Sequence, residues 1–223
     1  MSGRDTARDA IGPPTLRGWI HLVAFVASVL AGGALVGMAL AVGRTDAAGP
    51  IAIYAIGLST LFGTSALYHR RRWTGSRARD VMRRLDHAVI FLFIACTYTP
   101  FAVLALPESS AGPLLAVVWA GAVVGAGLEV LRPLGRRWLR VPLYIALGWV
   151  VLPVIGELAA ALGPLPIALL AAGGVAYTLG ALFYAAGWPN PWPRTFGHHE
   201  IFHGATVVAA GCHAVAVWLV VLG

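Results

Sequence analysis

The sequence predicts an all-α polytopic membrane protein with seven transmembrane helices and a cytoplasmic N-terminus. Three observations predict it: an apolar composition, long runs free of charge, and the one-sided placement of arginine. Of 223 residues, 59% are hydrophobic and 11% charged, and the mean hydropathy is +0.79. A soluble domain carries roughly a quarter of its residues charged to keep its surface wet. This chain has less than half of that, so its outer surface faces lipid. The net charge of +7 would point to nucleic acid in a soluble protein, but here all 16 basic residues are arginines placed around apolar runs. Nucleic acid is therefore not an expected partner; membrane lipid is.

A spanning helix needs about 20 residues with few or no charges. Arg17 to Arg44 encloses the first such run and Asp46 to Arg70 the second. Asp86 to Glu108 gives the third, and Ser109 to Leu128 the fourth. After Arg140 comes a fifth, with Glu157 near its far end, closed by Gly163-Pro164-Leu165-Pro166. A sixth runs to about Gly187, where Gly187-Trp188-Pro189-Asn190-Pro191-Trp192-Pro193 forbids helix. The seventh begins near His198. One domain over residues 1–223 is expected, with a short cytoplasmic tail over 1–17. The first apolar run is too long for the h-region of a signal peptide, which is about 7–15 residues.

Orientation follows from arginine, because cytoplasmic loops retain positive charge. With the N-terminus inside, Arg4, Arg8 and Arg17 fall in the tail. Arg70, Arg71, Arg72, Arg77, Arg79, Arg83 and Arg84 fall in the loop after span 2. Arg132, Arg136, Arg137 and Arg140 follow span 4, and Arg194 precedes span 7. Only Arg44 is left outside. Omitting any of the first six spans scrambles this alternation. Cys96 and Cys212 lie in apolar runs and are read as packing residues rather than a disulfide. Gly33–Gly37 and Gly121–Gly125 have the small-xxx-small spacing of close helix packing.

Polar side chains within spans are expensive, about 2.5–3.5 kcal/mol for a central Asp on insertion scales, so each needs a reason. His199 and His203 are four apart at the start of span 7, which places both imidazoles on one helix face. His199-Glu200-Ile201-Phe202-His203 also matches the H-E-x-x-H string of zinc proteases. Two hydrogen-bonded interfacial histidines are the plainer reading. Topology favours metal: His69 closes span 2, Asp86 opens span 3, and the histidine pair opens span 7, all at one membrane depth. Three imidazoles and an open position form the ligand set of a catalytic zinc. Asp86 then serves as an outer carboxylate that orients a ligand or a water, with Ser65 one turn deeper than His69. Taken alone, Asp86 is as well explained by pairing with Arg83 or Arg84, or by the dipole at the start of a helix. His87 and His198 point about 100° away from their neighbours and are expected at the interface, as are Glu129 and Glu157. His213 lies ten residues beyond His203, about 15 Å deeper, and is expected to be a buried, hydrogen-bonded histidine.

These residues resemble the hemolysin III family, bacterial relatives of the progestin and adiponectin receptors. The resemblance rests on Ser65-Ala66-Leu67-Tyr68-His69, Leu85-Asp86-His87, and His199-Glu200-Ile201-Phe202-His203 with His213, in that order on spans 2, 3 and 7. It implies a seven-helix, N-in protein of the bacterial plasma membrane, with zinc held by His69, His199 and His203 and with Asp86 and Ser65 beside it. It also implies kinship with alkaline ceramidases, hence a metal-dependent hydrolase of lipid amides or esters in which Asp86 is the general base. A non-enzymatic membrane-homeostasis or sensor protein with a structural zinc is the alternative, and a pore-forming, haemolysin-like activity a further one. An intramembrane zinc protease with Glu200 as base lacks an evident third downstream ligand. Two features depart from the family pattern. No long region precedes the first span, as it does in the animal receptors. That span opens with Arg17-Gly18-Trp19-Ile20-His21 rather than an acidic, Asn-containing signature.

Overall fold

The computed structural model describes residues 14–135 and 137–222. Arg4, Arg8 and Arg136 lie outside them. Among the described residues there is no strand, and seven helical segments are long and apolar enough to cross a membrane. Span 1 is Trp19–Ala41, span 2 Thr45–Arg70, span 3 Ser76–Ala105 and span 4 Glu108–Leu131. Span 5 is two helices, Arg137–Gly148 and Ile155–Leu162, joined through a 3-10 turn at Leu152–Val154. Span 6 is Pro164–Ala186 and span 7 His198–Leu222. Consecutive spans pack side by side and span 7 returns against span 1, so the ring closes. Span 3 is the most buried and also touches spans 5 and 7. Leu, Val and Ile side chains such as Leu30, Ile56, Val124 and Val208 cover the outside, where lipid replaces water.

Two expectations about the spans are corrected. The arginine run after span 2 is not a loop: only residues 71–75 are non-helical, and Arg77 through Arg84 form the first turns of span 3. Asp86 therefore lies ten residues inside a helix instead of opening it. Gly33 and Gly37 face open space, where an added Cβ meets nothing within 4 Å. Their stripe looks outward, and it is the neighbouring Gly32 that lets span 1 approach span 2 at Ala55. Gly121 and Gly125 do pack closely, against Leu147 and the Phe91 ring. Span 5 is broken within its length. Pro153 lacks a backbone donor, and the chain opens at Gly148–Val151. Cys96 is buried in the core as expected, and both cysteines are free thiols.

Freed backbone groups inside a membrane must find partners. Tyr98 of span 3 supplies them for the broken span. Its hydroxyl donates to Gly148 O at 2.6 Å and accepts from Val151 N–H at 3.1 Å. Trp149 is held in turn by Nε1–H donating to Thr178 Oγ1 at 3.1 Å. Tyr98→Phe leaves these groups unpaired and is expected to cost about 1–3 kcal/mol. Thermal unfolding of the purified protein in detergent measures it, and an unchanged midpoint would show that the break is held by other means.

Arginine binds the spans together at one end of the ring. Arg84 donates to Val130 O at 2.9 Å, near the C-terminus of span 4. Arg137 donates to Tyr184 O at 3.2 Å, near the C-terminus of span 6. Cations there satisfy carbonyls that the helix leaves open and suit the negative end of its dipole.

Candidate metal centre

His69, His199 and His203 converge at this arginine-rich end. Each offers a ring nitrogen, and the three nitrogens lie within 4.8 Å of one another. His69 Nε2 and His199 Nε2 are 3.2 Å apart. Ligands on a tetrahedral metal with Zn–N of 2.0–2.1 Å are separated by about 3.3 Å, so the cluster needs only small rotations to accept an ion. An all-nitrogen set from neutral imidazoles suits zinc chemistry.

Each ligand is positioned by its own element. His199 and His203 sit one turn apart because span 7 starts at His198, and two caps fix that start. Asn190 Oδ1 accepts from His198 N–H at 3.0 Å, and Glu200 Oε2 accepts from Gly197 N–H at 2.9 Å. The second contact is half of a capping box, in which a Glu at the third helical position reaches back to the residue that caps the helix. Glu200 is fully buried and its other oxygen pairs with Arg17. Both its oxygens are thus committed to structure, which removes the base from the zinc-protease reading. His69 is covered by the chain entering span 1. Gly18, at φ 79°, passes so close that a Cβ there would lie 2.8 Å from His69 Cβ. That backbone angle and that clearance both require glycine.

Ser65 and Asp86 are both buried, Ser65 one turn from His69 on span 2 and Asp86 on the adjoining span 3. Both line an elongated cavity of about 310 Å³, together with His199 and His203. The cavity extends between spans 3, 5, 6 and 7 to Leu158 and Ile167 near the opposite ends of their spans, and most of its wall is hydrocarbon. The broken span 5 gives it room, because Gly148, Trp149, Val151 and Leu152 all contribute to the wall.

Several residues that were not expected at the site belong to it. His21 of span 1 is buried and stacks on His203, with centroids 3.7 Å apart and planes within 6°. His87, expected at the interface, lines the cavity and contacts Arg140. Glu129, also expected at the interface, is fully buried. It lies 3.4 Å from both His87 Nδ1 and Arg140 Nη1 and accepts Leu134 N–H at 3.3 Å. Burial of Glu129 was missed because a carboxylate near a span end fits solvent equally well by sequence. Glu157 is exposed, in keeping with an interfacial place.

The sequence profile of the haemolysin-III-related proteins matches residues 10–214. The chain belongs to that family. A hemolysin-3 homolog of Bacillus subtilis is 29% identical over 151 residues, 68% of this chain and 67% of the relative. Hemolysin-3 of Bacillus cereus is 29% identical over 163 residues, 72% of this chain and 70% of the relative. A rice heptahelical transmembrane protein, ADIPOR2, is 35% identical over 184 residues, 75% of this chain and 80% of the relative. This haemolysin-III-related chain is therefore a multi-pass membrane protein related to bacterial hemolysin-3 proteins and to a plant heptahelical protein.

Proposed function

We propose that this haemolysin-III-related protein is a zinc-dependent hydrolase of lipid amides or esters in the bacterial plasma membrane, with its N-terminus and histidine cluster on the cytoplasmic side. The observation that carries the reading is the junction of a three-imidazole cluster with a long hydrocarbon-walled cavity through the buried pair Ser65 and Asp86. His69, His199 and His203 would hold the zinc, which when bound supplies Lewis acidity for attack on a carbonyl. Asp86 is the one carboxylate lining that cavity among the described residues and takes the proton as general base. Ser65, in the same cavity wall, orients the attacking water. The hydrocarbon wall excludes bulk water and accepts a lipid chain, so membrane lipids are the expected substrates. The arginine distribution supports the orientation, since the described arginines other than Arg44 gather at the histidine end.

The test is release of fatty acid from ceramides and other lipid amides by purified protein in liposomes. Asp86→Asn is expected to lower turnover about 10²–10⁴-fold while zinc content is retained. Product undiminished in His203→Ala would exclude the mechanism. A structural zinc in a non-enzymatic sensor is the second reading. It is favoured by one observation: the cluster joins His69 of span 2 to His199 and His203 of span 7, where a metal would clamp the two spans. X-ray absorption separates the two readings, because a fourth protein ligand marks a structural site and a water a catalytic one.

A further inference from the structure

The cavity has a second polar locus, far from the metal cluster. His213 lies ten residues along span 7 from His203, roughly 15 Å deeper into the membrane. Its ring is set into span 6 at Gly173, where an added Cβ would lie 2.4 Å from Cδ2 and 2.5 Å from Nε2. Nε2 faces Leu170 O at 3.3 Å. A carbonyl only accepts, so Nε2 carries the hydrogen and Nδ1 is left as an acceptor. That Nδ1 is buried and has no partner among the described residues. One turn along span 6 from Gly173 stands Tyr177, whose ring centroid is 5.5 Å from that of His213. Its hydroxyl is likewise buried and without a partner among the described residues. Both side chains line the cavity, as do the apolar Phe93 and Phe101 of span 3.

An orphan acceptor and an orphan hydroxyl at mid-membrane each lack what water would give them outside, and hydrocarbon cannot supply it. Together they match one chemical group. A ligand hydroxyl donates to His213 Nδ1 and accepts from the Tyr177 O–H. A ketone would satisfy only the tyrosine, and a methylene neither.

We propose that His213 and Tyr177 form a hydroxyl-recognising subsite for a lipid chain whose polar end sits at the histidine cluster, selecting chains oxygenated roughly 15 Å from that end. This rests on the reading that the cavity takes a lipid chain. It adds a substrate class to that reading: hydroxylated rather than plain acyl chains.

Binding of octadecanoic, 2-hydroxyoctadecanoic and 12-hydroxyoctadecanoic acid to the purified zinc-loaded protein in nanodiscs tests it. In an extended chain the twelfth carbon falls near the depth of His213, and the second stays by the head group. The wild type is expected to bind the 12-hydroxy acid about tenfold more tightly than octadecanoic acid, the yield of one or two net hydrogen bonds. The 2-hydroxy acid gains nothing. Tyr177→Phe removes a single oxygen and reduces the advantage to about threefold, with octadecanoic acid affinity and zinc content unchanged; His213→Leu abolishes the advantage. Equal affinity for all three acids would mean that the pair holds only a water, and would overturn the subsite while leaving the lipid cavity intact. An equal loss for all three in Tyr177→Phe would make the tyrosine merely structural and overturn it too. If none of the acids binds, the lipid reading fails and the subsite with it.

Discussion

Replacing His203 by alanine is expected to take bound zinc from about one ion per chain to nearly none. The residue is the most buried of the three imidazoles and the one on which His21 stacks. Its loss leaves two nitrogens 3.2 Å apart and no third protein ligand within reach among the described residues. Two imidazoles cannot make the three-ligand site that zinc enzymes use. Metal analysis of protein purified without added chelator gives the number. Full zinc content in His203→Ala, with His69→Ala equally unaffected, would sink the metal centre and the hydrolase reading together. The same cluster sets a pH dependence. Imidazole binds metal only when neutral, and its ordinary pKa is about 6.5, so protons compete with zinc as pH falls. Zinc is expected to be held at pH 8 and released steeply as the pH falls into the acid range, because up to three protons replace one ion. A release curve no steeper than one proton per zinc would contradict a three-histidine site.

Arg140→Met is expected to be the most destabilising single change away from the metal. Glu129 has no exposed surface, and Arg140, 6% exposed, is its only permanently charged partner among the described residues. His87 is the other cation available, at 3.4 Å, and carries charge only if protonated. Removing the guanidinium strands a carboxylate between spans 3, 4 and 5. Breaking one partner of a buried pair typically costs about 3–5 kcal/mol. Adding Glu129→Gln in the same chain removes the stranded charge and is expected to recover most of the loss, since the two sites are directly coupled. Thermal unfolding of both variants in detergent checks this. A double variant less stable than Arg140→Met alone would show that Glu129 is needed for something other than pairing.

How much of this was legible before the structure depends on the kind of signal. Span count was legible because the membrane imposes one rule along the whole chain: about 20 residues without charge. His69, His199 and His203 were legible as a set because helix periodicity fixes which residues share a face, and span parity fixes which ends share a depth. Asp86 was placed at the start of its helix rather than ten residues inside it, since Arg77, Arg79, Arg83 and Arg84 were read as a loop where they in fact begin the helix. Long side chains let arginine stay helical and still reach the polar boundary. The break in span 5 was not legible, because Pro142 is accommodated within a helix of the same span while Pro153 falls at the opening. What differs is Tyr98, a residue some fifty positions away that pairs with the freed groups.

The sequence by itself determined the seven spans, the gathering of arginine at one end, and the identity of the three imidazoles. These follow from the cost of charge in hydrocarbon and from the fixed rise and turn of a helix, both of which act locally. Only the tertiary structure decided that Glu200 is a cap and an ion-pair partner, that Glu129 and His87 are internal, and that Gly173 makes room for His213. Each of those depends on which side chain stands opposite across a helix–helix contact, and a close-packed interior sets that by shape rather than by spacing along the chain.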